Sequence, residues 1–290
     1  MKLWLIPTAM AVCLQLWLNL YVLARPPVRP IRAALHAMLF AALLFTVGDL
    51  LASFVFTNET ARWTGLILLY SGLIFVTPTW WLLALRYCEA QQLGLQFTRK
   101  NWVYIPLLLA GLLWIGFVTN PLHLQFITPR NAGASEYHWL WWWNAVQSYG
   151  LLMAVAALYG TLIFRQQPGA TRNQLLILLS ATLATAIASA IYVFYPVEMP
   201  FDPTSTGVCI SSILFIYGIH GTRLFSLSPV DLTTVIQSQP GGVLVVNPTG
   251  QLLYANQAAY TLLGSETLPV EEDPFQSLSR TLSLPETRDQ

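Results

Sequence analysis

Charge is what this sequence has least of. Asp, Glu, Lys and Arg make up 9% of its 290 residues, against roughly a quarter in soluble domains. Apolar types make up 55%. A chain so poor in charge cannot keep most of its surface in water, which excludes a soluble globular protein and leaves a membrane protein. The net charge of +1, with basic residues spread over many short loops, offers nucleic acid no footprint. Lysine occurs only as Lys2 and Lys100, so the last apolar stretch lacks the amine that a retinal Schiff base requires. The cysteines, Cys13, Cys88 and Cys209, lie in or at the edge of apolar stretches, and none stands at metal-ligand spacing from another or from a His. They read as small buried hydrophobes, so neither a metal nor a cofactor is implied. Histidine stops at His220, leaving no phosphoacceptor in a soluble helix beyond it. Gly241-Gly242 has no following Lys and opens a strand, so a phosphate-cradling loop is missing as well. Glu271-Glu272-Asp273 reads as a solvated run. No catalysis is expected of this chain alone.

What is present is apolar length. A helix of about 20 residues crosses a bilayer core about 30 Å thick. Seven stretches qualify: residues 3–24, 33–56, 63–88, 102–119, 139–164, 173–195 and 205–225. The first reads as a helix of the mature protein, because its apolar core is too long for a signal peptide and Leu23-Ala24-Arg25 is a poor cleavage site. Short loops rich in Lys and Arg stay cytoplasmic. Loops after spans one, three, five and seven hold nine such residues, Arg25 to Arg223, while the opposite side has three, Lys2, Arg62 and Arg130. This places the N-terminus outside, the tail inside, and the whole in a cell membrane as a multi-pass protein. The expected fold class is an all-α membrane protein: a seven-transmembrane-helix bundle over residues 1–225 with a small cytoplasmic α+β tail.

The tail opens with Ser228-Pro229-Val230-Asp231, a capping hydroxyl, a proline at the first helical position and an acid three residues after the cap. A linker helix is expected over 226–240. The β-branched run from Val243 to Val246, the turn Asn247-Pro-Thr-Gly250 and the run from Leu252 to Tyr254 read as a hairpin. Asn256 then caps a helix carrying Ala259, Tyr260, Leu262 and Leu263. Ser265 to Gln290 is acidic, rich in Ser and Pro, and expected to be loosely ordered.

The wording Gly-Val-Leu-Val-Val-Asn-Pro-Thr-Gly-Gln-Leu-Leu-Tyr-Ala-Asn-Gln-Ala-Ala from Gly242 resembles the opening of a PAS domain. The part before it resembles the seven-helix N-terminal sensor region of bacterial and archaeal histidine kinases. Asn120-Pro121-Leu122-His123, the aromatic start of span five at Tyr137 to Trp143, Asp202-Pro203-Thr204, and Arg223 leading through Ser228 and Pro229 carry that resemblance by their order. It implies a sensor whose signalling joint runs through Arg223, Ser228, Pro229 and Asp231 into a partial PAS-like domain over 241–290. Relatives continue into a kinase or diguanylate cyclase, so the implied partners are a second copy and a separate cytoplasmic kinase or cyclase.

Inside the spans, Asp49 is the one acid. A carboxylate at that depth costs about 2.5–3.5 kcal/mol, so it has a partner or a purpose. Asn144, Gln147 and Ser148 fall on one helical face at a similar depth. A pocket for an unknown small ligand, lined by Asp49, Asn144, Gln147, Ser148 and Trp143, is the sharp expectation. Thr182, Thr185 and Ser189 form a parallel set, for which helix-to-helix hydrogen bonding is the plainer reading. Trp139, Trp141, Trp142 and Trp143 fit an interfacial aromatic belt, and Pro78 in span three is expected to kink its helix. The functional expectation is a membrane sensor that relays a signal into the PAS-like module. The alternatives are a solute or ion transporter using Asp49, and an inert fragment of a longer kinase or cyclase.

Overall fold

A computed structural model describes residues 5–27, 29–54, 59–91, 93, 101–128, 136–195, 202–222, 224, 236–237, 239–246 and 252–263. The chain divides into two compact units, Met1–Ser226 and Leu227–Gln290.

The first unit is helical because nothing in hydrocarbon except the chain itself can satisfy a backbone amide. Its helices are α1 (Leu5–Ala24), α2 (Arg29–Phe54), α3 (Glu59–Ala90), α4 (Ile105–Val118, entered through a 3₁₀ turn at Asn101–Tyr104), the single turn α5 (Asn120–His123), α6 (Trp139–Arg165), α7 (Ala170–Phe194) and α8 (Thr204–Gly221). Seven of them, all but α5, are long and apolar enough to cross a membrane. Strands β1 (Ile127–Thr128) and β2 (Glu136–Tyr137) pair antiparallel just before α6. Asn120 shapes that connection: buried, it accepts from the amides of Phe126 and Ile127 at 2.8 and 3.2 Å and donates to the Ile127 carbonyl at 2.7 Å.

Helices α1, α2, α3, α6, α7 and α8 form a ring in that order, and α4 packs outside it against α3 and α6. The tightest pair is α2 with α3. A β-carbon added at Gly48 would overlap the backbone of Leu69, and one added at Gly72 would overlap the backbone of Phe45. Glycine lets these two helix backbones touch, the usual route to helix association where lipid removes the hydrophobic drive. A smaller version joins α7 to α8, where a β-carbon on Gly207 would lie 2.7 Å from Ala188 Cβ. Pro78 sits inside α3, which continues past it to Ala90, and the Thr79 hydroxyl donates to the carbonyls of Phe75 and Val76 at 2.7 and 2.9 Å.

In the second unit, β3 (Leu244–Val246) and β4 (Leu252–Ala255) pair antiparallel with an irregularity at Val245/Val246, and α9 (Gln257–Leu263) follows. Asn256 organises it from complete burial. Its Oδ1 accepts from the amides of Val243 and Ala259 at 2.8 and 2.9 Å, and its Nδ2 donates to the carbonyls of Ile236 and Gly241, both at 2.9 Å. The expected helix cap is therefore there, and the same side chain also ties the strand and the preceding segment to it. The turn at 247–250, most of the 226–240 linker and residues 264–290 lie outside the described residues.

Gly72→Leu is expected to lower the unfolding temperature of the protein in nanodiscs, at a cost of about 3 kcal/mol or more, because backbone cannot give way as a side chain can. Gly111→Leu, at a site with open space around it, should leave that temperature unchanged. In the second unit Asn256→Ala removes a cap and orphans several buried groups, and should destabilise the tail by about 2 kcal/mol or more in urea titrations.

Candidate functional site

The ring encloses a cavity of about 70 Å³ whose wall takes residues from all six ring helices. Polar positions on it are Gln15 of α1, Thr77 of α3, Asn144, Ser148 and Tyr149 of α6, Thr185 and Ser189 of α7, and Thr204 and Ser211 of α8. Most of the rest is apolar, including Phe45, Trp80, Trp141 and Phe215, and no charged side chain is among the described residues of the wall.

The wall holds together through hydrogen bonds that cross from helix to helix. Gln15 Nε2 donates to Ser212 Oγ at 2.9 Å, Ser211 and Thr185 share a bond of 2.8 Å, Tyr149 and Ser189 one of 3.0 Å, and Thr77 donates to Ser148 at 3.2 Å. Asn19 Nδ2 donates to the Leu39 carbonyl at 3.1 Å and joins α1 to α2. With the glycine contact of α2 on α3, every neighbouring pair in the ring is tied. Thr185 and Ser189 are thus both helix glue and cavity wall, whereas Thr182 bonds only the Leu178 carbonyl of its own helix among the bonds described.

Asp49 is buried, but beyond the cavity wall. Its Oδ2 accepts a short bond from Ser205 Oγ, 2.5 Å, and a long one from Thr8 Oγ1, 3.4 Å, so its described hydrogen-bond partners come from the starts of α8 and α1. Asp202, just before α8, lies close enough for the two charges to act on each other. Burial pushes the Asp202 carboxyl up to about 6, the Asp49 charge adds to the rise, and hydrogen bonds from Thr204 oppose it. At the same end the Tyr137 hydroxyl bonds those of Tyr70 and Tyr192.

The residues expected to form one pocket are therefore divided. Asn144 and Ser148 are on the cavity wall. Gln147 donates to the Pro106 carbonyl at 2.9 Å and, with Trp143, lines a groove of about 550 Å³ between α4 and α6. Trp143 is 61% exposed, as are its neighbours Trp139 and Trp142 to lesser degrees, whereas Trp141 is buried on the cavity wall and stacks on Tyr137 at 4.0 Å. Four tryptophans within five helical positions point in different directions, and one of them must turn inward. Gln15, Ser205 and Trp80 were not singled out from sequence. Gln15 and the cluster Thr204, Ser205, Thr206, Ser211, Ser212 are polar positions in apolar stretches, and that was the available signal.

At the far end of α8 a buried relay closes the bundle. Tyr87 of α3 donates to Gln174 Oε1 of α7 at 2.7 Å, and Gln174 Nε2 donates to the Thr222 carbonyl at 2.7 Å. The amides of Thr222 and Leu224 both return to the Gly218 carbonyl, at 3.1 and 3.0 Å, ending α8. Of the joint residues, Arg223, Ser228, Pro229 and Asp231 lie outside the described residues.

Comparison with known families gives two matches. Residues 7–229 match the model of the N-terminal 7TM region of histidine kinase, and residues 231–289 match a PAS domain. The second match runs through the stretch expected from composition to be loosely ordered. No curated protein and no solved structure matches the chain.

Asp202 supplies a pH prediction. Its carboxyl holds a proton up to about 6 in the fold, against about 4 in an unfolded chain. The folded state therefore binds the proton more tightly, so this contribution to stability is full below about pH 4 and is lost as pH rises through 6. Asp202→Asn should flatten the thermal-unfolding profile of the nanodisc-embedded protein between pH 4 and pH 7.

Proposed function

This chain belongs to the family of N-terminal seven-transmembrane regions of histidine kinases, with a PAS domain behind it, and from that premise we propose that its central cavity receives the signal and α8 carries it. The protein is a membrane sensor input module of histidine-kinase type, embedded in the bilayer as a multi-pass helical bundle. The observation that supports the cavity as the receiving site is its relation to α8. Within about one turn, Ser211 bonds Thr185, Ser212 bonds Gln15, and Phe215 meets the Trp80 ring edge-on at 5.8 Å. Anything that enters the cavity must disturb or reinforce contacts that position this helix.

In this reading Asp49 is a clamp. Through Ser205 and Thr8 it fixes the start of α8 against α1 and α2, while Tyr87 and Gln174 latch the other end. A ligand shifts the helix only by binding two arrangements of these contacts with different affinity. The charge bias of the loops supports an external N-terminus and a cytoplasmic tail. The signal then passes through residues 223–240 to the PAS domain, in a dimer, and on to a kinase or cyclase. Transport through Asp49 is not favoured, since its described hydrogen bonds hold it off the cavity wall and the family is one of sensors.

Ala145→Leu adds bulk at the cavity wall, and Gln174→Leu opens the latch. Hydrogen exchange of residues 218–222 in nanodiscs is the readout. Gln174→Leu should speed that exchange about tenfold, the effect of losing roughly 1.4 kcal/mol of local stability. Ala145→Leu should alter it from the cavity wall, without touching the latch. Unchanged exchange in Ala145→Leu, with Gln174→Leu responding, would sever the cavity from α8 and remove the reading.

A further inference from the structure

Two buried polar atoms of side chains on the cavity wall have no described hydrogen-bond partner, and both side chains hold α8. The first is Gln15 Oε1. Ser212 Oγ donates to the Val208 carbonyl at 2.7 Å, so its lone pairs face the Gln15 amide, which must present Nε2. The amide orientation is thereby fixed, and the oxygen left over is an acceptor without a donor in a side chain only 4% exposed. The second is Trp80 Nε1, a donor without an acceptor, again in a side chain 4% exposed. An indole nitrogen has no other role open to it. Buried groups of this kind are nearly always paired, and leaving one unpaired is costly.

The two deficits are complementary. One needs a donor and the other an acceptor, so an ion of either sign answers only half of the requirement, and no charged side chain among the described wall residues would balance it. The remaining surface is dominated by aliphatic and aromatic carbon, which favours an apolar body. The volume of about 70 Å³ is about half of the ~150 Å³ of a cavity that takes up benzene, which leaves room for about three or four non-hydrogen atoms.

Resting on the sensing reading above, we propose that the cavity binds a small uncharged molecule of about three or four non-hydrogen atoms, with an apolar body, a hydrogen-bond donor for Gln15 Oε1 and an acceptor for Trp80 Nε1. A neutral alcohol has both functions in one hydroxyl, and a neutral amide has them in one group. Gln15 is bonded to Ser212 and Trp80 packs on Phe215, so such a molecule engages the two side chains that grip α8 one turn apart. Satisfying their free atoms stiffens those grips. The ligand class and the output helix are thus connected through the same two residues.

Propan-2-ol is the probe, with propane lacking both polar functions and isopropylammonium carrying a charge. Binding to the full chain in nanodiscs is measured by ligand-observed NMR, with empty nanodiscs subtracted to remove partition into lipid. Propan-2-ol should show saturable binding, weakened about tenfold in Trp80→Phe and in Gln15→Met. Propane should bind all forms within about threefold of one another, and isopropylammonium should not bind. Trp80→Phe keeps an aromatic ring on Phe215, and if Gln15→Met does not fold the Trp80→Phe ratio alone decides. No saturable propan-2-ol signal, meaning that water alone meets the two groups, overturns the proposal, as does equal affinity in the variants. Exchange of residues 218–222 separates the two levels of the argument. Binding without any change there overturns the sensing reading and leaves the ligand class standing; absent binding while Ala145→Leu still alters exchange overturns the ligand class alone.

Discussion

Helices in a bilayer gain little from hiding apolar surface from one another, because lipid is as apolar as they are. Everything about this bundle follows from how it replaces that missing force. Between α2 and α3 the substitute is bare backbone contact through glycine. Around the rest of the ring it is a series of hydroxyl and amide bonds, one or more at each junction. Side chains that bond across a ring must point into it, so the same requirement that holds the helices together gives the centre its polar positions. The cavity is a by-product of how the bundle coheres.

The helix that benefits most is α8. Its sequence is the least hydrophobic of the spans, crowded with Thr, Ser and Gly, and half of it is buried. Apolar packing alone would hold it loosely. It is held at its start by an acid on α2, at its middle by α1, α3 and α7, and at its end by Gln174. A helix fixed at three levels by separable polar contacts is suited to having its position adjusted at one level and read at another.

The architecture was legible because it is written in segment length and charge, quantities that survive without knowledge of tertiary contacts. The hairpin and the Asn256 cap were legible for a similar reason, since turn and cap chemistry is local. The site was only half legible. Asn144 and Ser148 face the cavity as their helical spacing suggests, but Asp49 found Ser205 and Thr8 because α8 and α1, not α6, are what lie beside it. Spacing along one helix says which residues share a face; it does not say which helix that face meets. Trp141 shows the same limit, being indistinguishable by composition from the exposed tryptophans on either side of it.

The two kinds of junction have a mechanical consequence. Interlocked backbones at Gly48 and Gly72 admit no sliding without collision, so α2 and α3 behave as one stiff post. Hydroxyl bonds are forgiving, because a serine or threonine can rotate and find another acceptor on its own helix, as Thr185 does at the Ala181 carbonyl and Ser212 at that of Val208. The bundle therefore has one rigid pair, α2 with α3, and junctions that hydroxyls hold more loosely, with α7 and α8 combining both kinds of contact at Gly207 and Ser211.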